Sequence, residues 1–200
     1  MNEEYKTLDS KSSNEGLLLN KVEVFAVTGF PIVKEDDNLA LLICQAAEKQ
    51  GTPIQNGDVI VVTHVVVSRA EGNVIDLERV IPSEFAKTVA KTANKDPNLV
   101  EVILRESKRI VRMSNRKLIT ETKQGLVCAN SGIDQSNVPG NTVVALLPKD
   151  SDNSARMIRK NVFQISGKDV AVIVSDTHIT PTGTIFNLNA FNKGIENSNR

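Results

Sequence analysis

Two stretches of this chain carry carboxylates, hydroxyls and amides at the ends of apolar runs. In Gly125–Asn137 (GLVCANSGIDQSN), Leu126, Val127, Cys128 and Ala129 read as the end of a buried strand. Small and polar residues then lead through Gly132 to Asp134, Ser136 and Asn137. Further on, the strand-like run 169–175 delivers Asp176 and Thr177 in the same manner. Hard oxygen ligands at strand exits suit Mg²⁺ or Mn²⁺; magnesium takes one or two carboxylates and leaves its other positions to water and phosphate oxygens. The pattern supports two strand ends that meet and share one divalent cation. Asp134 and Asp176 would then clamp a nucleoside triphosphate through its metal, with the Arg69 guanidinium on a phosphate oxygen. The same residue types also serve as strand caps and turns, where Asp and Asn bond their own backbone. Spacing alone leaves both readings open.

Other chemistries find less support. There is no G-x-x-x-x-G-K-[ST] and no G-x-G-x-x-G, so neither a P-loop nor a Rossmann fingerprint is present. His64 and His178 have no triad partners in sequence, and Cys128 sits in an apolar run without a neighbouring histidine. Two cysteines and two histidines without ligand spacing argue against a zinc site or a disulfide framework. Lys plus Arg equals Asp plus Glu at 24 each, and aromatic residues are 4% with no Trp. That balance speaks against a surface-wide nucleic-acid footprint and against base-stacking platforms. The polar N-terminus lacks a signal-peptide core, and no apolar run approaches the roughly 20 residues a spanning helix needs. A cytoplasmic protein without membrane or nucleic-acid partners is expected.

These residues need elements to position them. At 200 residues, 40% apolar and 24% charged, the chain suits one ordinary globular domain. Residues 1–17 read as a disordered tail, 18–190 as the folded domain and 191–200 as a polar tail. The alternation in 21–28 predicts a first strand. Asn38 caps a helix that shows Leu39, Leu42, Ile43, Ala46 and Ala47 to the core and closes at Gly51 before Pro53. The apolar run 59–67 predicts a strand covered on both faces, with 68–72 as its polar exit. Helices follow from Pro82-Ser83, with Phe85, Ala86, Val89, Ala90 and Ala93 inward, and from Asp96-Pro97, with Leu99, Val100, Ile103 and Leu104 inward. Arg105, Lys108, Arg109, Arg112, Arg116 and Lys117 make a basic stretch, read as a solvated helix end, with a phosphate-bearing ligand as the alternative. Strands are expected at 110–113, 117–120, 143–147 and 169–175. A helix capped by Asp152 has Ala155, Ile158, Val162 and Ile165 inward and ends at Gly167. Beyond residue 177 no sustained period is visible. Helices and strands alternate without clean βαβ units, so the fold class is α+β, a mixed α/β arrangement of sheets with flanking helices.

The collinear blocks GFPIVKEDDNLA (29–40), GDVIVVTHVVVSRAEG (57–72), GLVCANSGIDQSNV (125–138), LLPKDSDNSARMIR (146–159) and VAVIVSDT (170–177) resemble the coenzyme F420-0:L-glutamate ligase family. The resemblance implies an F420 ligase-like fold over 18–190. It also implies a GTP-dependent ligase that adds L-glutamate to coenzyme F420-0 through an acyl phosphate, with Mg²⁺ or Mn²⁺, often a monovalent cation such as K⁺, and a homodimeric assembly. By motif, Asp134 and Asp176 are similar to metal ligands and Thr177 to a ligand of a second metal. Phe30, Pro31, Ile32 and Val33 match the first nucleotide-binding segment. His64, Val65, Arg69 and Asn137 fall at guanine-nucleotide contacts. The family tends to carry small hydroxyl residues near 64 and 65 and Lys at 69. It shows a Gly-Arg-x-x-Arg type segment where this chain has His178-Ile-Thr-Pro-Thr-Gly183, and it continues further at the C-terminus. A chain incomplete relative to the family is therefore expected, and the alternative function is a noncatalytic guanine-nucleotide and metal-binding relative.

Overall fold

The computed structural model describes residues 22–135, 142–180 and 183–187, with backbone alone from residue 177 onward. The tails expected at 1–17 and 191–200, together with Ser136 and Asn137, lie outside the described residues. The elements run α1 (Leu39–Gln50), β1 (Val59–Thr63), α2 (His64–Ala70), β2 (Val74–Asp76), α3 (Glu84–Ala93), α4 (Pro97–Arg105), β3 (Ser107–Ser114), β4 (Lys117–Thr122), β5 (Val127–Ala129), β6 (Val143–Ala145), α5 (Ser151–Ser166), β7 (Ala171–Thr180) and β8 (Gly183–Asn187). Among the described residues the strands form three small sheets: β1-β7-β8, β2-β6 and β3-β4-β5. The class is the expected α+β.

The helix boundaries follow from local capping chemistry. Asn38 accepts from Leu41 N, and Gly51, at φ 83°, lets its own N–H return to Ala47 and Glu48. Ser83 caps α3 by accepting from Ala86 N, while Asp96 caps α4 with Pro97 in its first turn. For α5 the cap is Asp150, which accepts from Asn153 N; the expected cap, Asp152, lies in the first turn instead. Two apolar cores result. One joins Leu39, Ile43, Val62, Val67, Ile158, Val162, Val172 and Val174 between α1, α2, α5 and the β1–β7 pair. The other joins Leu77, Val89, Leu99, Val100, Val102, Ile103, Leu118 and Val144 around α3 and α4.

Several sequence expectations give way to tertiary context. Residues 22–28 form no strand; Val22 and Val24 are 86% and 88% exposed, and alternation without a paired neighbour leaves the backbone irregular. The run 59–67 is a five-residue strand followed directly by a helix, because His64, Val65, Val67 and Ser68 bury together at helical spacing. Its strand is also bare on one face, where Val59 and Val61 are exposed. Phe85 and Ile165, expected inward, point to solvent, and Val102 takes a core position instead. Of the basic stretch, Arg105 ends α4 as expected, but Lys108, Arg109, Arg112, Arg116 and Lys117 belong to the β3–β4 hairpin, with Arg109 paired to Glu121 at 2.7 Å. The strand expected at 169–175 starts at Ala171, runs on through Thr180 and pairs with β8, a segment in which no period is visible along the chain.

One contact between α3 and α4 carries a pH signature. Glu101 accepts from the backbone N–H of Ser83 at 3.0 Å and its hydroxyl at 2.7 Å, and pairs with Arg105. The Ser83 N–H, then its hydroxyl, then Arg105 hold the Glu101 carboxyl below the usual carboxylate range. A depressed folded pKa contributes stability above the ordinary glutamate range, and that stability is lost as pH falls toward the folded value. Thermal melts should therefore fall on acidification below about pH 5. Glu101→Gln should lower the melting temperature at pH 7 and leave it near that of the parent at pH 3.

Candidate functional site

The site begins with a register. β1 and β7 run parallel, and Thr63 lies opposite Ser175 at the end of their pairing. The next residue on each is therefore His64, which opens α2, and Asp176. Ligand chemistry concentrates at such C-terminal ends of parallel strands, where side chains emerge beyond the covered sheet. The imidazole Nδ1 of His64 lies 3.3 Å from Asp176 Oδ1, with the imidazole 4% exposed and the carboxylate 31% exposed.

A second link ties α2 to Asp134. Ser68 Oγ donates to the Leu146 carbonyl at 2.6 Å. Leu146 follows Ala145, which exchanges backbone hydrogen bonds of 3.0 and 2.9 Å with Asp134. His64 and Ser68 are four residues apart and share one face of α2, with Cβ atoms about 5–6 Å apart in a helix. That face meets Asp176 at its first residue and, one turn later, the Leu146 carbonyl beside the Asp134–Ala145 bridge. A third link comes from Cys128, six residues before Asp134, whose thiol senses the charge of Asp176.

Between Cys128 and Asp134 the backbone turns through successive left-handed residues, Asn130 (φ 52°), Ser131 (φ 56°) and Gly132 (φ 71°). A non-glycine residue held there costs roughly 1–3 kcal/mol, so the surroundings must over-determine it. They do so through hydroxyls. Ser131 N donates to Thr120 Oγ1 at 3.0 Å, and Ser131 Oγ lies 2.7 Å from both Ser107 Oγ and Thr120 Oγ1 and 3.2 Å from the Ile103 carbonyl. Ser131 and Thr120 are fully buried, so this network fixes the turn that leads to Asp134. The Asn-Ser-Gly triplet signals a turn in sequence; the long-range hydroxyl partners leave no such signal.

Two buried side-chain atoms have no hydrogen-bond partner among the described residues, His64 Nε2 and Asn130 Oδ1. Each orphaned group costs about 1–3 kcal/mol, and such groups need a reason. One belongs to the residue touching Asp176 and the other to the turn between Cys128 and Asp134, the two segments on which a ligand is expected.

The remaining expected residues divide. Val33 is buried in the first core and Phe30 packs against it, while Ile32 is 68% exposed and Pro31 is exposed. This segment is tied to the end of α2 by the Asp36 N–H, which donates to the Ala70 carbonyl. Arg69 is half-buried, and no ion pair engages it among the described residues. His64 and Val65 are both buried, so their side chains present little surface to a ligand as the chain stands. Thr177 is described by backbone alone, and Asn137 lies outside the described residues. Two open cavities, of about 360 and 510 Å³, lie elsewhere, one between Asp37, Asn38, Glu71 and Ser154 and one beside Arg79 and Arg105.

The donor set fits a hard divalent cation. Asp134 and Asp176 supply carboxylate oxygens from separate segments, and the cation's other positions suit phosphate oxygens and water. Among the described residues no group of three or more His, Cys, Asp or Glu is placed to hold a metal ion. Cys128 is no nucleophile: burial first, and then the charge of Asp176, push its thiol up to about 11. Only about one thiol in 10⁴ is ionised at pH 7, so iodoacetamide should modify native Cys128 far more slowly than the urea-unfolded chain. Because burial leads, Asp176→Asn should speed that modification only slightly.

The sequence profile of the family described as F420-0:Gamma-glutamyl ligase matches residues 29–199. The chain is 47% identical over 149 residues to the coenzyme F420:L-glutamate ligase of Methanopyrus kandleri, a match covering 74% of this chain and 57% of that protein. To the proteins of the same name from Methanothermobacter thermautotrophicus and Methanocaldococcus jannaschii it is 42% identical (80% of this chain, 63% of that protein) and 46% identical (78% and 60%). The chain thus spans about three-fifths of the length of the curated relatives it matches. Among the described residues no helix is long and apolar enough to cross a membrane. The profile match over residues 29–199 and these identities establish that the chain belongs to the F420-0:gamma-glutamyl ligase family.

Proposed function

We propose that this chain works as a GTP- and divalent-metal-dependent ligase that adds L-glutamate to coenzyme F420-0. Support comes from the names of its relatives and from one observation of its own structure: one face of α2 meets Asp176 through His64 and, through Ser68, the Leu146 carbonyl next to the Asp134–Ala145 bridge. The reaction needs a nucleotide because a carboxylate and an amine do not condense at neutral pH without a leaving group. In this reading a carboxylate oxygen of coenzyme F420-0 attacks the γ-phosphorus of GTP, the bond to the β-phosphate oxygen breaks, and GDP leaves. The glutamate amine then attacks the acyl carbon of the acyl phosphate, phosphate departs, and the amine's proton is released as the amide forms.

The residues named by the resemblance take the following roles in this reading. Asp134 and Asp176 hold Mg²⁺ or Mn²⁺, and Thr177 serves a second cation such as K⁺. When bound, the metal offsets phosphate charge as it shifts in the transition state. Arg69 directs its guanidinium to a phosphate oxygen, for which its planar fork is suited. The Phe30–Val33 segment, tied to α2 through Asp36, lines the nucleotide, and Asn137 contacts its base. Incubation of the purified protein with GTP, Mn²⁺, L-glutamate and coenzyme F420-0 should yield a product heavier by one glutamyl residue, with one GDP and one phosphate released per amide formed. GTP binding without that mass gain overturns the ligase reading.

A further inference from the structure

We propose that His64 is a positioning residue that fixes the rotamer of the Asp176 carboxylate for a divalent cation. The inference rests on the reading of Asp176 as a metal ligand and goes beyond it by giving His64 a task other than touching nucleotide. Asp176 is the first residue past the β1–β7 register, so on the β1 side no strand continues beside it. The His64 ring occupies that place. It opens α2 immediately after Thr63, is 4% exposed, and sets Nδ1 3.3 Å from Oδ1, while the carboxylate itself is 31% exposed. A buried, helix-anchored ring beside a half-open carboxylate is what a rigid support for a ligand requires, since groups behind a metal ligand orient it and tune its affinity. Nδ1 approaches Oδ1, which would leave Oδ2 for a cation.

The other ring nitrogen strengthens the case. Nε2 is buried without a partner among the described residues, so as a packing residue His64 is poorly chosen. A leucine of similar bulk would fill the space and leave no orphan. A group whose burial costs stability while its other face holds a candidate ligand has the character of a functional residue. Val67 and Ser68 on the same helix bury without such a cost, Ser68 Oγ being satisfied by the Leu146 carbonyl.

The test uses the whole chain and Mn²⁺ alone, with free Mn²⁺ followed by its electron paramagnetic resonance signal and folding by thermal melt. His64→Leu should melt at or above the parent temperature yet bind Mn²⁺ roughly 10–100-fold more weakly, the range seen when the support behind a metal ligand is removed. His64→Asn, whose amide N–H can stand near the position of Nδ1, should recover most of that affinity. Stability and affinity then move in opposite directions, which a merely structural role does not produce. Unchanged Mn²⁺ affinity in His64→Leu, or His64→Asn binding no better than His64→Leu, overturns the positioning role. Asp176→Asn separates the two levels. If it loses Mn²⁺ while His64→Leu does not, only the role of His64 falls; if it binds Mn²⁺ as the parent does, the metal-ligand reading fails and this proposal with it.

Discussion

Asp176→Ala should reduce the rate of glutamate addition by roughly 10²–10³-fold, the loss typical when one preorganised electrostatic partner of a transition state is removed. Its fold should be little affected. The carboxylate is 31% exposed and its ion-pair partner among the described residues is His64 at 3.3 Å, and Asp176 belongs to neither core, so its loss empties no cavity there. Asp176→Asn keeps the volume and one oxygen but removes the charge. If the carboxylate serves a cation, Asn should be nearly as damaging as Ala; if it only orients the backbone by hydrogen bonding, Asn should be nearly as good as Asp. If the two carboxylates share one ion, Asp134→Ala should follow Asp176→Ala in size, because that ion loses a ligand in either case. Rates measured by product mass at saturating GTP, with Mn²⁺ varied, separate a binding loss that more metal repairs from a loss that it does not. Both variants within about twofold of the parent at every Mn²⁺ concentration would end the shared-metal proposal.

What the sequence revealed of this site, and what it hid, divides along a physical line. Local chemistry was legible. Asn38, Ser83, Asp96 and the glycines at 51 and 167 mark helix ends where the structure has them, because a cap bonds within three or four residues. Asp134 and Asp176 stood out because a carboxylate after an apolar run is itself a local pattern. Contacts set by tertiary packing were not legible. Val65-Val66-Val67 has strand propensity, yet it lies in α2, since burying Val65, Val67 and Ser68 on one side outweighs the modest helix penalty of β-branched residues. The length of the run was a clue, as nine residues, seven of them apolar, exceed a typical strand of five or six. Misreading that helix also hid its central feature, because the placing of His64 and Ser68 on one face exists only at helical spacing. The pairing of Ser131 with Thr120, Ser107 and Ile103 joins β3, β4 and α4, and no window along the chain contains it.

Gly132→Ala should cost roughly 2–4 kcal/mol of unfolding free energy, as two independent penalties add. The first is conformational: Gly132 sits at φ 71°, third in the left-handed series after Asn130 and Ser131, and a Cβ makes that region unfavourable. The second is steric. A Cβ built there would lie 2.8 Å from Cγ, Cδ1 and Cδ2 of Leu147, so the branched centre of the leucine, and not a flexible tip, must move. The two separate by a double-mutant cycle in urea. Leu147→Ala in the Gly132→Ala background should recover the steric part and leave the conformational part, giving a coupling of about 1–3 kcal/mol. A coupling near zero would show that Leu147 rotates away freely and that strain alone sets the cost. The consequence reaches the site through the backbone. Gly132 is two residues before Asp134, and Leu147 is two residues after Ala145, with which Asp134 exchanges its backbone hydrogen bonds. The glycine and the leucine thus clamp both strands of the bridge that holds one candidate ligand, as His64 clamps the other. Pushing them apart should weaken Mn²⁺ binding even under conditions where the protein remains folded, and Leu147→Ala should restore part of that affinity together with the stability.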